Sequence, residues 1–334
     1  MGNSRGYAAP TGKIALSAFI PCYNEEETLP QTLAEIPRQM DGIDEVEILI
    51  VDDGSTDRTV AVARELGVHH IVSNKRNRGL AASFRSGLDT CLKLGADIIV
   101  NTDGDNQYAG CDIPKLIQPI REGRADIVIG DRQTDCIEHF STSKKLLQKL
   151  GSSMVRSLSG TNVPDAVSGF RAYSRDAALQ INIVSTFSYT IETVIQAGKK
   201  QLAIVSVPVA TNPKTRESRL FTSIPKFIER QVNTIVRMYS MYQPLRVFFY
   251  VGTVLMLIGI VPIARFLFFY FSGDGGGHIQ SLLLGGVLVT LGFITYLIAF
   301  LADLVGFNRQ LIEMTLEKVR RLELLHMSSD AEDE

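Results

Sequence analysis

Residues 98–107 read Ile-Ile-Val-Asn-Thr-Asp-Gly-Asp-Asn-Gln. A short apolar run stops on two carboxylates and an amide set at alternate positions. The same pattern recurs on both sides of it. Ile14–Ile20 runs into Pro21-Cys22-Tyr23-Asn24-Glu25-Glu26, and Val46–Val51 into Asp52-Asp53-Gly54-Ser55-Thr56-Asp57. His70–Ser73 leads to Asn74–Gly79, and Ala125–Gly130 to Asp131-Arg132. Between these runs lie stretches of helical character, Glu26–Met40, Thr56–Leu66, Leu80–Leu94 and Pro114–Glu122. Strand and helix in alternation predict an α/β domain with a mostly parallel sheet covered on both faces. Ligands of such sheets bind beyond the carboxyl ends of the strands, where the polar residues of this chain collect.

The strand ends differ in what they can do. Asp52-Asp53-Gly54-Ser55 also reads as a plain turn and helix cap. Asp103-x-Asp105-x-Gln107 is more specific, because alternate residues of an extended segment project the same way. Two carboxylates and an amide oxygen suit Mg²⁺ or Mn²⁺, which take oxygen ligands and keep positions open for phosphates. Arg132, Arg171, and the group Lys214, Arg216 and Arg219 add cations suited to a substrate with several phosphates. No G-x-x-x-x-G-K-[ST] is present, which excludes a P-loop, and the glycines at 273–277 fail the dinucleotide pattern. With 34 basic residues against 36 acidic ones, the chain has no general basic character, so nucleic acid is not an expected partner. Four cysteines without a C-x-x-C pair signal neither a disulfide framework nor a zinc cluster.

Beyond Pro244 the character changes. Val247–Ala264 is 18 residues without a charge, and Ile279–Ala302 is 24. About 20 apolar residues span a bilayer as a helix, so two transmembrane helices are expected, at about 247–271 and 279–303. Arg230, Arg237 and Arg246 precede the first span, and Arg309, Lys318, Arg320 and Arg321 follow the second. The loop at 272–278 has no Lys or Arg. The positive-inside rule then puts the soluble part and both termini in the cytoplasm, with the chain in the cytoplasmic membrane. Residues 1–13 have no apolar h-region, so no signal peptide is expected. Amphipathic segments flank the spans at 223–242 and 308–325, and each suits either the membrane interface or packing on the soluble domain. The expected organisation is a catalytic domain at 1–222, an interfacial helix and linker at 223–246, the spans at 247–307, and a cytoplasmic helix with an acidic tail at 308–334.

The segments IPCYNEEETL, VDDGSTDRT, NRGLAAS, TDGDNQ and DAVSGFRAYSR, in that order, resemble the inverting family 2 glycosyltransferases of GT-A fold. More narrowly the chain resembles the polyprenyl-phosphate glycosyltransferases, which include dolichyl-phosphate mannose synthase and bacterial enzymes with two C-terminal spans. The resemblance runs from Ile14 to about Arg321. It implies that Pro21, Tyr23 and Glu25 line a nucleotide pocket with Asn77, Gly79 and Gly104, and that Asp52 and Asp53 contact base or ribose. It implies that Asp103 touches the nucleotide while Asp103, Asp105 and Gln107 hold the divalent metal, and that Arg132 meets the phosphates. Asp165, Ser168 and Arg171 would face the acceptor, with Asp165 and Arg171 catalytic and Lys214, Arg216 and Arg219 receiving a lipid phosphate. The implied reaction is transfer of one hexose, glucose from UDP-glucose in the first place, to undecaprenyl phosphate. GDP-mannose is the alternative donor, and a sugar-nucleotide-binding scaffold without turnover the alternative class. The chain departs from processive synthases of the wider family, since it has no Trp and no Q-x-x-R-W signature. A homo-oligomer is compatible with the two spans.

Overall fold

The computed structural model describes residues 13–133, 155–156, 159–184, 189–213, 237, 240–273 and 276–332. Two compact units emerge, Met1–Thr222 with Leu316–Glu334, and Ser223–Thr315.

In the first unit the strands are β1 (Ala15–Cys22), β2 (Glu45–Asp52), β3 (His70–Ser73), β4 (Ile98–Asn101), β5 (Ile127–Asp131), β6 (Arg171–Ser174) and β7 (Ile204–Pro208). They form one sheet in the order β3-β2-β1-β4-β6-β5-β7, parallel except for β6. Ile48, Leu49, Ile50 and Val51 are fully buried, as an unbroken apolar strand covered on both faces must be. Burying each such side chain contributes about 1.5–3 kcal/mol. β6 was not foreseen, and its direction matters. Arg171 at its start pairs with Asn101 at the end of β4. The segment before β6 therefore arrives at the edge of the sheet where β1, β2 and β4 end, carrying Asp165 and Ser168 with it.

The helices are α1 (Leu29–Glu35), α2 (Thr59–Glu65), α3 (Leu80–Lys93), α4 (Ile113–Arg121), α5 (Arg175–Gln180) and α6 (Thr190–Lys199). α1 is shorter than the expected 26–40. Pro37 pushes Ile36 out of the helical region, to φ −77° and ψ 117°, which ends the helix. α2 starts three residues later than expected, at Thr59 after Arg58, and Asp57 holds the turn that leads into it. Its Oδ1 accepts the Thr59 N–H at 3.0 Å.

In the second unit α7 (Pro244–Phe271) is apolar enough and long enough to cross a membrane. The next helix, α8, runs unbroken from Ile279 to Glu332, with a first part of the same kind. Only 11% and 17% of the two apolar windows is buried, so neither is the core helix of a soluble domain. Glycines seam the pair at two-turn spacing. Gly259 lies so close to α8 that an added Cβ would sit 3.0 Å from the Gly285 carbonyl oxygen, and a Cβ on Gly292 would sit 2.9 Å from that of Gly252. Small residues at such crossings let helix backbones approach. The sequence suggests a break near residue 303 and a separate helix from 308, but charged residues after Asp303 continue the same helix. Its part from Leu316 onward belongs to the first unit. There Arg320 donates to the carbonyls of Leu179 and Ile181 and to Asn182, Arg321 pairs with Asp176, and Glu323 with Lys93.

Candidate active site

The loops after β1 and β2 are stitched together. The Asn24 N–H donates to the Ser55 hydroxyl at 3.0 Å, and the Thr56 N–H returns a bond to Asn24 Oδ1 at 2.8 Å. The Glu25 N–H donates to Thr59 Oγ1 at 2.8 Å. Gly54 has φ +76°, and a Cβ there would meet the Arg76 carbonyl carbon at 2.7 Å, so only glycine lets the third loop close in. That third loop hangs on Asp53. Its carboxylate accepts the Asn74 amide and the N–H groups of Arg78 and Gly79, at 2.8–2.9 Å. Asp52 Oδ1 accepts the Ser55 N–H at 2.9 Å. Both carboxylates are buried, and their visible work is shaping the loops at the strand ends. Asn77 caps Gly79, its Oδ1 accepting that N–H at 3.1 Å. The same loop exposes Lys75, Arg76 and Arg78, cations at the strand-end site that in sequence look like ordinary surface.

Glu25, Gly104 and Asp103 meet at the ends of β1 and β4. The Thr28 hydroxyl lies between two of them, 2.9 Å from Glu25 Oε2 and 2.8 Å from the Gly104 carbonyl oxygen, and shares its one proton between these acceptors. Gly104 packs against Cys22 and the Pro21 carbonyl, and Tyr23 is exposed at the rim. Asp105 accepts the Gln107 N–H at 3.2 Å and its amide at 2.8 Å, so Asp105 and Gln107 sit side by side. Burial raises the Asp103 carboxyl above the usual carboxylate range, and the charge of Asp105 raises it further. Two carboxylates that disfavour each other's ionisation suit a divalent cation, whose binding relieves the repulsion. Among the described residues no three acidic, histidine or cysteine side chains form a closed metal cage. Two carboxylates and an amide fit an ion that leaves positions for phosphate.

The residues expected to face the phosphates and the acceptor bond to one another and to backbone. Arg132 grips Asp165 in a fork, Nε to Oδ2 at 2.7 Å and Nη2 to Oδ1 at 3.0 Å. Arg171 is wholly buried. It donates to the carbonyls of Ser168 and Ala166 at 2.8 Å, to that of Thr190 at 2.9 Å, and to the Thr193 hydroxyl. It knits the 165–171 loop to α6. Ser168 is also fully buried beside it. Lys214, Arg216 and Arg219, assigned to the lipid phosphate, lie outside the described residues, as does most of the amphipathic segment at 223–242.

The sheet and its helices correspond to known proteins. Glucosyl-3-phosphoglycerate synthase of Mycobacterium tuberculosis, solved in complex with Mn²⁺, uridine diphosphate and glucosyl-3-phosphoglycerate, superposes with a TM-score of 0.53. The match is 19% identical and covers 72% of this chain and 85% of that one, which establishes the GT-A fold. Polyprenol monophosphomannose synthase of Mycolicibacterium smegmatis is 29% identical over 57% of this chain and 75% of its own length. Undecaprenyl-phosphate mannosyltransferase of Micrococcus luteus is 30% identical over 57% of this chain and 81% of its own length. Residues 17–181 match the sequence profile described as "Glycosyl transferase family 2", and with these relatives the chain belongs to that family.

Proposed function

We propose that the protein transfers one hexose from a nucleotide sugar to a polyprenyl phosphate, with inversion, at the cytoplasmic face of a membrane in which it is anchored. One observation carries this reading. Two relatives named for mannosyl transfer to polyprenyl phosphates align across 75% and 81% of their own length. Their names favour mannose, with GDP-mannose as donor, over the UDP-glucose that the sequence puts first. The scaffold reading is disfavoured by the intact set Asp103, Asp105 and Gln107.

In the proposed reaction a phosphate oxygen of the acceptor attacks the anomeric carbon, and the bond to the nucleoside diphosphate breaks. Asp103 and Asp105, with the Gln107 amide oxygen, would hold a divalent cation that supplies positive charge to the departing diphosphate. A phosphate monoester, with a second pKa of about 6, is largely a dianion at pH 7 and needs no base. Asp165, with both oxygens engaged by Arg132, then serves to orient and not to take a proton. Lys214, Arg216 and Arg219 are the proposed receivers of the lipid phosphate. The basic flanks of the two apolar helices support the cytoplasmic orientation.

The test is a transfer assay with the full chain in detergent, undecaprenyl phosphate, Mg²⁺ and radiolabelled GDP-mannose, UDP-glucose or UDP-galactose, with Asp105→Ala as control. Label is expected in the lipid phase from GDP-mannose and lost in the variant. Transfer from UDP-glucose alone restores the first donor. Metal-dependent nucleotide binding without transfer from any donor supports the scaffold.

A further inference from the structure

The loop that carries Asp165 comes against the Asp103 carboxylate at Gly169. A Cβ built on it would lie 2.9 Å and 3.1 Å from the two carboxylate oxygens of Asp103, and 3.0 Å from the Tyr189 hydroxyl. The glycine is not in the left-handed region, so its backbone would accept any residue. What excludes a side chain is the contact alone.

The backbone has nowhere to retreat. The Gly169 N–H donates to the Tyr108 hydroxyl at 2.8 Å, and its carbonyl accepts the Asn101 amide at 2.6 Å. The same Asn101 amide donates to the Tyr189 hydroxyl at 2.7 Å. Tyr189 stacks on Phe84 with ring centroids 3.9 Å apart, and Phe84 packs on Phe19 of β1. Tyr108 stacks on Phe170, the next residue of the loop. Gly169 is thus clamped between aromatic rings rooted in the core, with its Cα against Asp103.

We propose that Gly169 is a positioning residue for the Asp103 carboxylate, setting where that group stands toward the metal and the diphosphate. The proposal rests on the assignment of Asp103 and Asp105 to a divalent cation. A methyl group added here meets the ends of two side chains, not backbone, so the fold tolerates it while the carboxylate swings aside. Because the loop also holds Asp165, the contact ties the acceptor side to the donor side.

The experiment titrates Mn²⁺ and GDP into the full chain in detergent by calorimetry, with a thermal midpoint for each variant. Gly169→Ala is expected to weaken Mn²⁺ binding about 10-fold, the scale on which outer partners tune metal sites, with stoichiometry unchanged. Unchanged Mn²⁺ affinity in Gly169→Ala, with binding lost in Asp105→Ala, overturns the inference and spares the metal assignment. No metal binding in the wild type, or equal binding in Asp105→Ala, removes the metal assignment and the inference with it. Should Gly169→Ala fail to fold, Tyr189→Phe reads the same contact without adding an atom. It removes the hydroxyl that braces the glycine, and about 10-fold weaker Mn²⁺ binding is expected here too. Full affinity there overturns the proposal.

Discussion

The fork between Arg132 and Asp165 makes a sharp prediction. Asp165 has a side chain 2% exposed, and Arg132 one 24% exposed. Replacing Arg132 by alanine leaves a buried carboxylate without its charged partner. Two charges about 4 Å apart interact by about 4 kcal/mol at an effective dielectric constant of about 20. Removing one member of a buried pair costs about 3–5 kcal/mol. Water reaches the partly exposed guanidinium, so the lower end, about 3 kcal/mol, is expected. For a unit of this size that lowers the melting temperature by roughly 6–12 °C. Asp165→Asn should cost less, because the unpaired group is then an arginine with a path to water. The assay is thermal melting of the full chain in detergent for the two single variants and the double. Partners in contact give a non-additive double, whose loss falls short of the sum by more than about 1 kcal/mol. A melting temperature of Arg132→Ala within about 2 °C of the wild type, or a strictly additive double, refutes the reasoning.

Asp112 gives a prediction with a pH sign. Burial pushes its carboxyl up, but hydrogen bonds from Lys115 and from the Ala210 N–H outweigh it, and the net effect is a lowered pKa. A depressed carboxylate contributes stability that is present above its unfolded pKa and lost as pH falls through the folded one. Asp112→Asn should therefore destabilise the protein fully near neutral pH and progressively less below about pH 4. Melting curves across that range check it, and a deficit that does not shrink in acid refutes it. In the helical hairpin, Gly259→Leu should lower the melting temperature by an amount equivalent to about 1–3 kcal/mol, because Leu288 and the Gly285 carbonyl leave no room. Gly286→Leu, with nothing within 4 Å of its Cβ position, should leave the melting temperature unchanged. Equal effects would show that the glycine seam is not what packs the pair.

Strands β1 to β5 were legible because each is a largely apolar run that gives way to a polar strand-end loop. Ile98–Asn101 and His70–Ser73 match the structure residue for residue. β6 lacks such a signal, because it begins with a buried arginine and ends on serine and so shows neither an apolar run nor clean alternation. β7 does carry one, since it lies in Leu202–Ala210, which is apolar apart from Ser206 and Pro208. The end of α1 was present in the sequence as Pro37, a local signal that the periodic pattern from 26 to 40 obscured. The unbroken α8 was hidden differently. Composition changes sharply after Ala302, yet helix formers continue on the far side. A change in hydropathy marks a change of surroundings, and it need not mark the end of a helix.

The site was legible by residue type and not by partner. Asp103-x-Asp105-x-Gln107 announces its chemistry because all its members lie within five residues. Asp165 and Arg132 are 33 residues apart, and their bidentate bond depends on β6 running antiparallel. Nothing local distinguishes an arginine that binds phosphate from one that satisfies buried carbonyls. Arg171 is the second kind, since its described donors go to Ser168, Ala166, Thr190 and Thr193. Loss of activity on replacing it would reflect a collapsed loop and would not make it a catalytic group. With Arg132 paired and Arg171 buried, positive charge for the diphosphate of the proposed reaction would come from the exposed loop cations Lys75, Arg76 and Arg78 and from a divalent cation at Asp103 and Asp105, whose mutual repulsion such an ion would relieve.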